Sequence, residues 1–192
     1  MRTADELRDA LEAYLGSLTL VPELGGLAEP LRYSLESGGK RIRPLLCLAV
    51  ADVNGAPLED SLPAAAALEL VHTFSLVHDD LPALVVIVER RGRPSAHVAF
   101  GEGVALLAGD ALLAEAFRLA LSSGSPEVPR RLAVATLGMI GGQYRDITGD
   151  TADLAEPLRV AVADRASTRL DELGADTSVL HDLLDALTFR TG

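Results

Sequence analysis

The sequence predicts an all-α fold, a bundle of about seven or eight helices, and two observations carry that prediction. Apolar residues recur at helical spacing almost throughout, with Ala and Leu dominating the 48% of the chain that is hydrophobic. Nothing alternates with period two except Val85 to Val88, a stretch too short and isolated to form a sheet.

Leu7, Leu11, Tyr14, Leu15 and Leu18 define a first helix, which Pro22, Gly25 and Gly26 break. A second, short helix runs from Leu27 to Glu36 and stops at Ser37-Gly38-Gly39. Pro44 suits the first turn of the third, which continues through Val53 and ends at Asn54-Gly55. A long helix follows over 62–81, perturbed by Pro82, and Arg90 to Pro94 reads as a basic loop. Two further helices fit 103–122 and 128–147, separated by Ser122-Ser123-Gly124-Ser125-Pro126. The remainder, 153–189, reads as two more, broken at Gly174, with Asp176 or Thr177 capping the last. No repeat or low-complexity linker interrupts residues 1–192, so a single helical domain is expected.

Composition narrows the function classes. A net charge of −11 argues against nucleic acid, which needs a clustered basic face. It leaves room for a small phosphorylated ligand in a local basic pocket. Charges interrupt every long apolar run, so no membrane span is expected. Acids from residue 5 onward do not suit a secretory leader. The single cysteine, Cys47, rules out an internal disulfide and reads as a small core residue in a reducing compartment. Together these features point to a cytoplasmic location.

Four constellations carry chemistry. In Gly38-Gly39-Lys40-Arg41-Ile42-Arg43-Pro44, two glycines lead into a helix start bearing three cations, a place where backbone N–H groups and the helix dipole favour an anion. Lys40 and Arg43 stand three apart and can grip one phosphate together. On the long helix, His72, Ser75 and Asp79 share one face, opposite an apolar row of Leu68, Val71, Phe74 and Val77 expected to meet the core. Asp79-Asp80 offers oxygens to Mg²⁺, and acids near a helix C-terminus call for a compensating cation. Glu89-Arg90-Arg91-Gly92-Arg93-Pro94 supplies a second basic segment suited to clamping an anion or to lying solvated. In Gly141-Gly142-Gln143-Tyr144-Arg145-Asp146, a glycine pair inside a helix implies a packing or ligand reason, and Gln143 and Asp146 are three apart.

These residues, in this order, resemble the trans-isoprenyl diphosphate synthase (polyprenyl synthetase) family, through GGKRIRP at 38–44, ALELVHTFSLVHDDLPAL at 67–84, RRGRPSAHVAFGEGVALLAGDAL at 90–112 and GGQYRD at 141–146. The resemblance covers residues 1–150, and 151–192 looks like the family's C-terminal helices. It implies an isoprenoid-synthase-like helical bundle around a central cavity, truncated here. The implied reaction joins isopentenyl diphosphate to an allylic diphosphate with Mg²⁺, in short-chain synthases of the farnesyl or geranylgeranyl type. Carried over by motif, Lys40, Arg43, His72 and Arg91 match positions that bind isopentenyl diphosphate, and Arg90 one that binds the allylic diphosphate. Asp79, with Asp80 beside it, matches the catalytic, metal-binding start of the first aspartate-rich motif. Gln143 lines the cavity, and Phe74, with Ser75, lies where bulk limits product length.

Two departures stand out. Where the family continues with aspartates this chain reads Val85-Val86-Ile87-Val88, and valine offers no oxygen. The segment between GGQYRD and the final helices, with the second aspartate-rich motif, is missing. Magnesium binding and autonomous condensation are therefore expected to be impaired. Three readings stay open: a weakened prenyltransferase; a non-catalytic or regulatory partner of a complete synthase, as homodimer or heterodimer; and a decayed chain without a role.

Overall fold

The computed structural model describes residues 2–149, 166–168, 171 and 177–188. Its order is α1 (Ala4–Ser17), a 3₁₀ turn (Pro22–Leu27), α2 (Ala28–Leu35), α3 (Ile42–Val53), α4 (Leu58–Asp79), strands β1 (Glu89–Arg90) and β2 (Arg93–Pro94), α5 (Ala96–Phe100), α6 (Glu102–Leu121), α7 (Glu127–Thr148) and α8 (Ser178–Thr188). The described residues include these eight α-helices, further helical residues at 166–168 and 171, and one two-stranded ribbon, the all-α architecture the periodicity predicts. Of the helices expected over 153–189, much lies outside the described residues; α8 begins directly after Thr177. None of the described helices is long and apolar enough to cross a membrane.

Local signals explain the boundaries. Thr3 caps α1 by accepting from the Glu6 N–H while Glu6 bonds back to the Thr3 N–H. This reciprocal pair is written in the sequence as Thr-x-x-Glu. Leu7, Leu11 and Leu15 then turn inward on one face. α3 starts two residues before Pro44, which still falls in its first turn. α4 starts before Pro63, four residues earlier than the periodicity places it. At α7, Gly149 adopts the left-handed conformation and closes the helix through its N–H to the Arg145 carbonyl.

α4 departs most from its sequence reading. Val71, Phe74 and Val77 are buried as expected, but so are Ala65, Ala66, Ala67, Glu69, Leu70, Thr73 and Ser75. Leu68 is only half-buried and lines an open apolar groove with Cys47, Ala64 and Leu132. The helix is the axis of the bundle, with α1, α2, α3, α6 and α7 packed around it, so it has no single solvent face. Cys47 is partly buried, which pushes its thiol pKa up, as for a small apolar residue.

α6 approaches α4 through Ala105, Ala108, Gly109 and Ala116, all buried. Gly109 is the closest approach: an added Cβ would lie 2.2 Å from His78 Nε2. His78 cannot easily retreat. Its Nε2 hydrogen-bonds the Leu106 carbonyl at 3.0 Å, and its ring packs edge-on to Phe74 at 4.7 Å. Gly109→Ala therefore lowers unfolding free energy by about 1–3 kcal/mol, as overpacking does. Thermal unfolding checks this, and an unchanged midpoint would show that the His78 ring yields freely.

α7 is the exception to this close packing. Of its 22 residues only Leu132 and Thr136 are buried, while Val134, Leu137, Ile140, Tyr144 and Ile147 are exposed.

Candidate functional site

The site grows from the C-terminal end of α4, where successive residues point about 100° apart around the helix. Asp79 and Asp80 therefore diverge. Asp79 turns toward α7 and accepts a hydrogen bond from Gln143 Nε2 at 2.7 Å. Asp80 turns toward the β1–β2 ribbon, where Arg90 Nε donates to both its oxygens at 3.0 Å and Nη2 donates to Oδ1 at 2.6 Å. Asp80 is 3% exposed. A buried carboxylate demands such a partner; the bond to Asp80 in turn holds the Arg90 guanidinium pKa above its ordinary value despite burial. In this structure both Asp80 oxygens, expected from the sequence to serve a metal, are paired with Arg90.

The basic segment expected as a loop is a hairpin. Glu89 pairs with Pro94 and Arg90 with Arg93. Arg91 and Gly92 make the two-residue turn, both with positive φ (55° and 76°), the geometry that matches strand twist. Tyr33 of α2 anchors it: Arg93 stacks over the Tyr33 ring at 4.2 Å, and the Tyr33 hydroxyl donates to the Pro94 carbonyl at 2.8 Å.

Between the hairpin, α2 and α4 lies a narrow cleft, open to solvent and lined by Tyr33, Glu69, Asp80, Arg90, Arg91 and Arg93 among others. Arg91 makes no hydrogen bond or ion pair among the described residues. Burial, then Arg41 and Arg90 nearby, hold its pKa below the ordinary arginine value, with Glu69 opposing them. Its guanidinium lies against Gly39, where a Cβ would sit 2.6 Å from Nη1. The glycine-rich turn and the hairpin, far apart in sequence, thus meet at one rim.

The three cations of that turn do not behave alike. Lys40 and Arg43 are exposed. Arg41 is buried, bonded to Glu69 at 2.6 Å, Glu12 at 2.8 Å and the Leu35 carbonyl at 2.7 Å. Burial works against its charge, but the bonds to Glu12 and Glu69 outweigh it and raise its pKa. Sequence reasoning did not find Glu12, Glu69 or the inward role of Arg41. The signal was there: Glu69, inside AAAALELV, is a charge in an apolar helix and requires a partner.

His72 and Ser75 do not line the cleft. Ser75 is buried and its hydroxyl donates to the His72 carbonyl at 2.8 Å. Phe74 is buried beside His78. Asp146 is exposed, and Gln143 reaches across the helices to Asp79.

Val85, Val86 and Val88 are all more than half exposed, and Ile87 is partly covered. The backbone of this segment caps α4: Val85 N–H bonds the Asp79 carbonyl, Val86 N–H that of Leu81 and Ile87 N–H that of Asp80. This wrapping forces Val86 to φ 52°, a region hostile to β-branched residues. Val86→Gly raises unfolding free energy by about 0.5–1 kcal/mol, relief of the left-handed strain being partly offset by glycine's backbone entropy. Urea unfolding reads the change, and a loss of stability would mean that the segment is unstrained.

The family model for polyprenyl synthetase matches residues 25–165. The chain belongs to the polyprenyl synthetase family. A geranylgeranyl diphosphate synthase of Cyanophora paradoxa is 46% identical over 132 residues, covering 64% of this chain and 44% of that protein. The large subunit 1 of a chloroplastic heterodimeric geranylgeranyl pyrophosphate synthase of Arabidopsis thaliana is 45% identical, over 66% of this chain and 37% of its own. A solved geranyltranstransferase of Thermotoga maritima superposes with a TM-score of 0.67 at 29% identity, over 96% of this chain and 71% of that one. This polyprenyl synthetase chain thus spans about half the length, or less, of these curated relatives.

The resemblance implies magnesium, and the donor set can be tested against it. Asp79 is shared with Gln143, Asp80 is committed to Arg90, and Val85 has no oxygen to give. Among the described residues no three His, Cys, Asp or Glu side chains converge as a metal-holding group. A divalent cation wants oxygen donors gathered around it, so the described residues do not fit a protein-built magnesium cluster.

Proposed function

We propose that this chain is an isoprenoid-pathway protein that binds isopentenyl or allylic diphosphate at the cationic rim but condenses them poorly by itself. The carrying observation is the pairing of both Asp80 oxygens with Arg90 beside an exposed, oxygen-free Val85. Diphosphate binding needs cations; Arg91 lines the cleft, and the exposed Lys40 and Arg43 belong to the glycine-rich turn and helix start whose Gly39 meets Arg91. Condensation needs more: the allylic C–O bond must ionise, and the departing diphosphate must be neutralised as charge develops. Losing one such stabilising group costs about 10²–10³ in rate, and here more than one carboxylate is missing or committed. Phe74, wedged against His78, is the bulk that would keep any product short.

The test is direct. The purified chain, given Mg²⁺, isopentenyl diphosphate and dimethylallyl or geranyl diphosphate in turn, is expected to yield no product above a protein-free blank. Brisk turnover abolished by Asp79→Asn would overturn this reading.

A second reading, a homodimeric or heterodimeric partner of a complete synthase, is favoured by the exposed apolar residues of α7. The named heterodimer among the relatives agrees with it. Added to a complete synthase, the chain should then change its rate or product length; an unaltered product profile would discard it.

A further inference from the structure

We infer that Arg41 is the positioning residue of the cationic rim: acting through Glu69 and Gly39, it fixes the glycine-rich turn against Arg91 and so sets how tightly the cleft takes a diphosphate. The inference rests on the diphosphate reading above.

Arg41 stands at the start of α3 in the left-handed conformation, with φ 51° and ψ 28°, and makes no side-chain cap. Its side chain instead turns inward. It donates from Nε and Nη2 to Glu12 of α1, from Nη2 to the Leu35 carbonyl at the end of α2, and from Nη1 to Glu69 of α4. One guanidinium thus ties together three elements, which only a planar fork with several fixed donors can do. The backbone at residue 41 cannot shift without breaking a buried pair.

That backbone carries the rim. Lys40 precedes Arg41, and its carbonyl accepts from Arg8 Nη1 at 3.2 Å, a second tie to α1. Gly39 precedes Lys40 and has φ 145°. The Arg91 guanidinium lies so close to Gly39 that any Cβ would collide with it. Arg91 therefore rests on a wall whose position Arg41 holds. Electrostatics act in the same place. Glu69, bonded to Arg41, also lines the cleft and acts on Arg91. A solvated cation at position 41 would supply neither the wall nor the oriented carboxylate.

Inorganic pyrophosphate titrated calorimetrically into the full chain tests this, alongside Arg41→Lys, Gly39→Ala, Arg91→Ala and the Arg41→Lys/Arg91→Ala pair, with thermal unfolding followed for each. Arg41→Lys keeps the charge but loses the fork, and is expected to weaken pyrophosphate binding about tenfold. Added to Arg91→Ala it should weaken binding less than about twofold further, because both changes act through the same guanidinium. A merely structural role would lower the melting point without this non-additivity. If Arg41→Lys does not fold, Gly39→Ala carries the test, since its Cβ displaces Arg91 from an exposed turn; a loss of about tenfold is again expected. Unchanged affinity in a folded Arg41→Lys or in Gly39→Ala, or fully additive losses in the pair, overturns the inference alone. A wild-type chain that takes up no pyrophosphate overturns the diphosphate reading, and the inference with it.

Discussion

Arg90→Ala lowers the free energy of unfolding by about 3–5 kcal/mol. The size comes from what is left behind. Asp80 is 3% exposed, and all three of its short contacts are to Arg90. Removing the guanidinium leaves a nearly buried carboxylate without its partner. Urea unfolding followed by far-UV circular dichroism is the suitable measurement, because the chain has no tryptophan. A loss below about 1 kcal/mol would place the pair among ordinary surface ion pairs and would free Asp80 for other work. The double variant Asp80→Leu/Arg90→Met is expected within about 1 kcal/mol of wild type, since apolar side chains often replace a buried pair without loss. A neutral double change beside a costly single one would show that the pair is retained for where it puts Arg90, not for net stability.

Glu69→Ala is the second large effect, again about 3–5 kcal/mol. It leaves Arg41 buried with one exposed carboxylate, Glu12, and a carbonyl. Glu69→Gln keeps an acceptor in place and should cost less, about 1–3 kcal/mol, the value of a bond to a charged group. The same urea titrations rank the two. If Glu69→Ala costs no more than a surface change, the α1–α2–α4 junction is held by apolar packing and Arg41 is incidental to it. Losses of this size are a large part of the stability of a domain, typically about 5–15 kcal/mol.

Much of this was legible in the chain itself. Most helices of the described residues follow from apolar residues at helical spacing, the short α5 excepted, and most boundaries fall where Pro, Gly and capping residues place them. Part of the cleft was also legible in the sequence, since Asp80, Arg90 and Arg91 stand in motifs that bring charge and glycine together, whereas Glu69 and Tyr33 were not found. The hairpin was missed, although Arg91-Gly92 is a two-residue turn with glycine at a position of positive φ. α4 was read as one-faced because periodicity cannot show how many neighbours surround a helix, and here they pack on all sides.

Pairing is what a linear string does not carry. The sequence by itself determined an all-α member of the polyprenyl synthetase family with clustered cations and a valine run in place of carboxylates. Only the tertiary structure decided which charges are spent. It gives Asp80 to Arg90, Asp79 to Gln143, and Arg41 to Glu12 and Glu69, while Arg91 stands against bare backbone at Gly39. The reason is physical: burial makes an ionised group costly until an opposite charge reaches it, and which group reaches it depends on how helices far apart in sequence are packed.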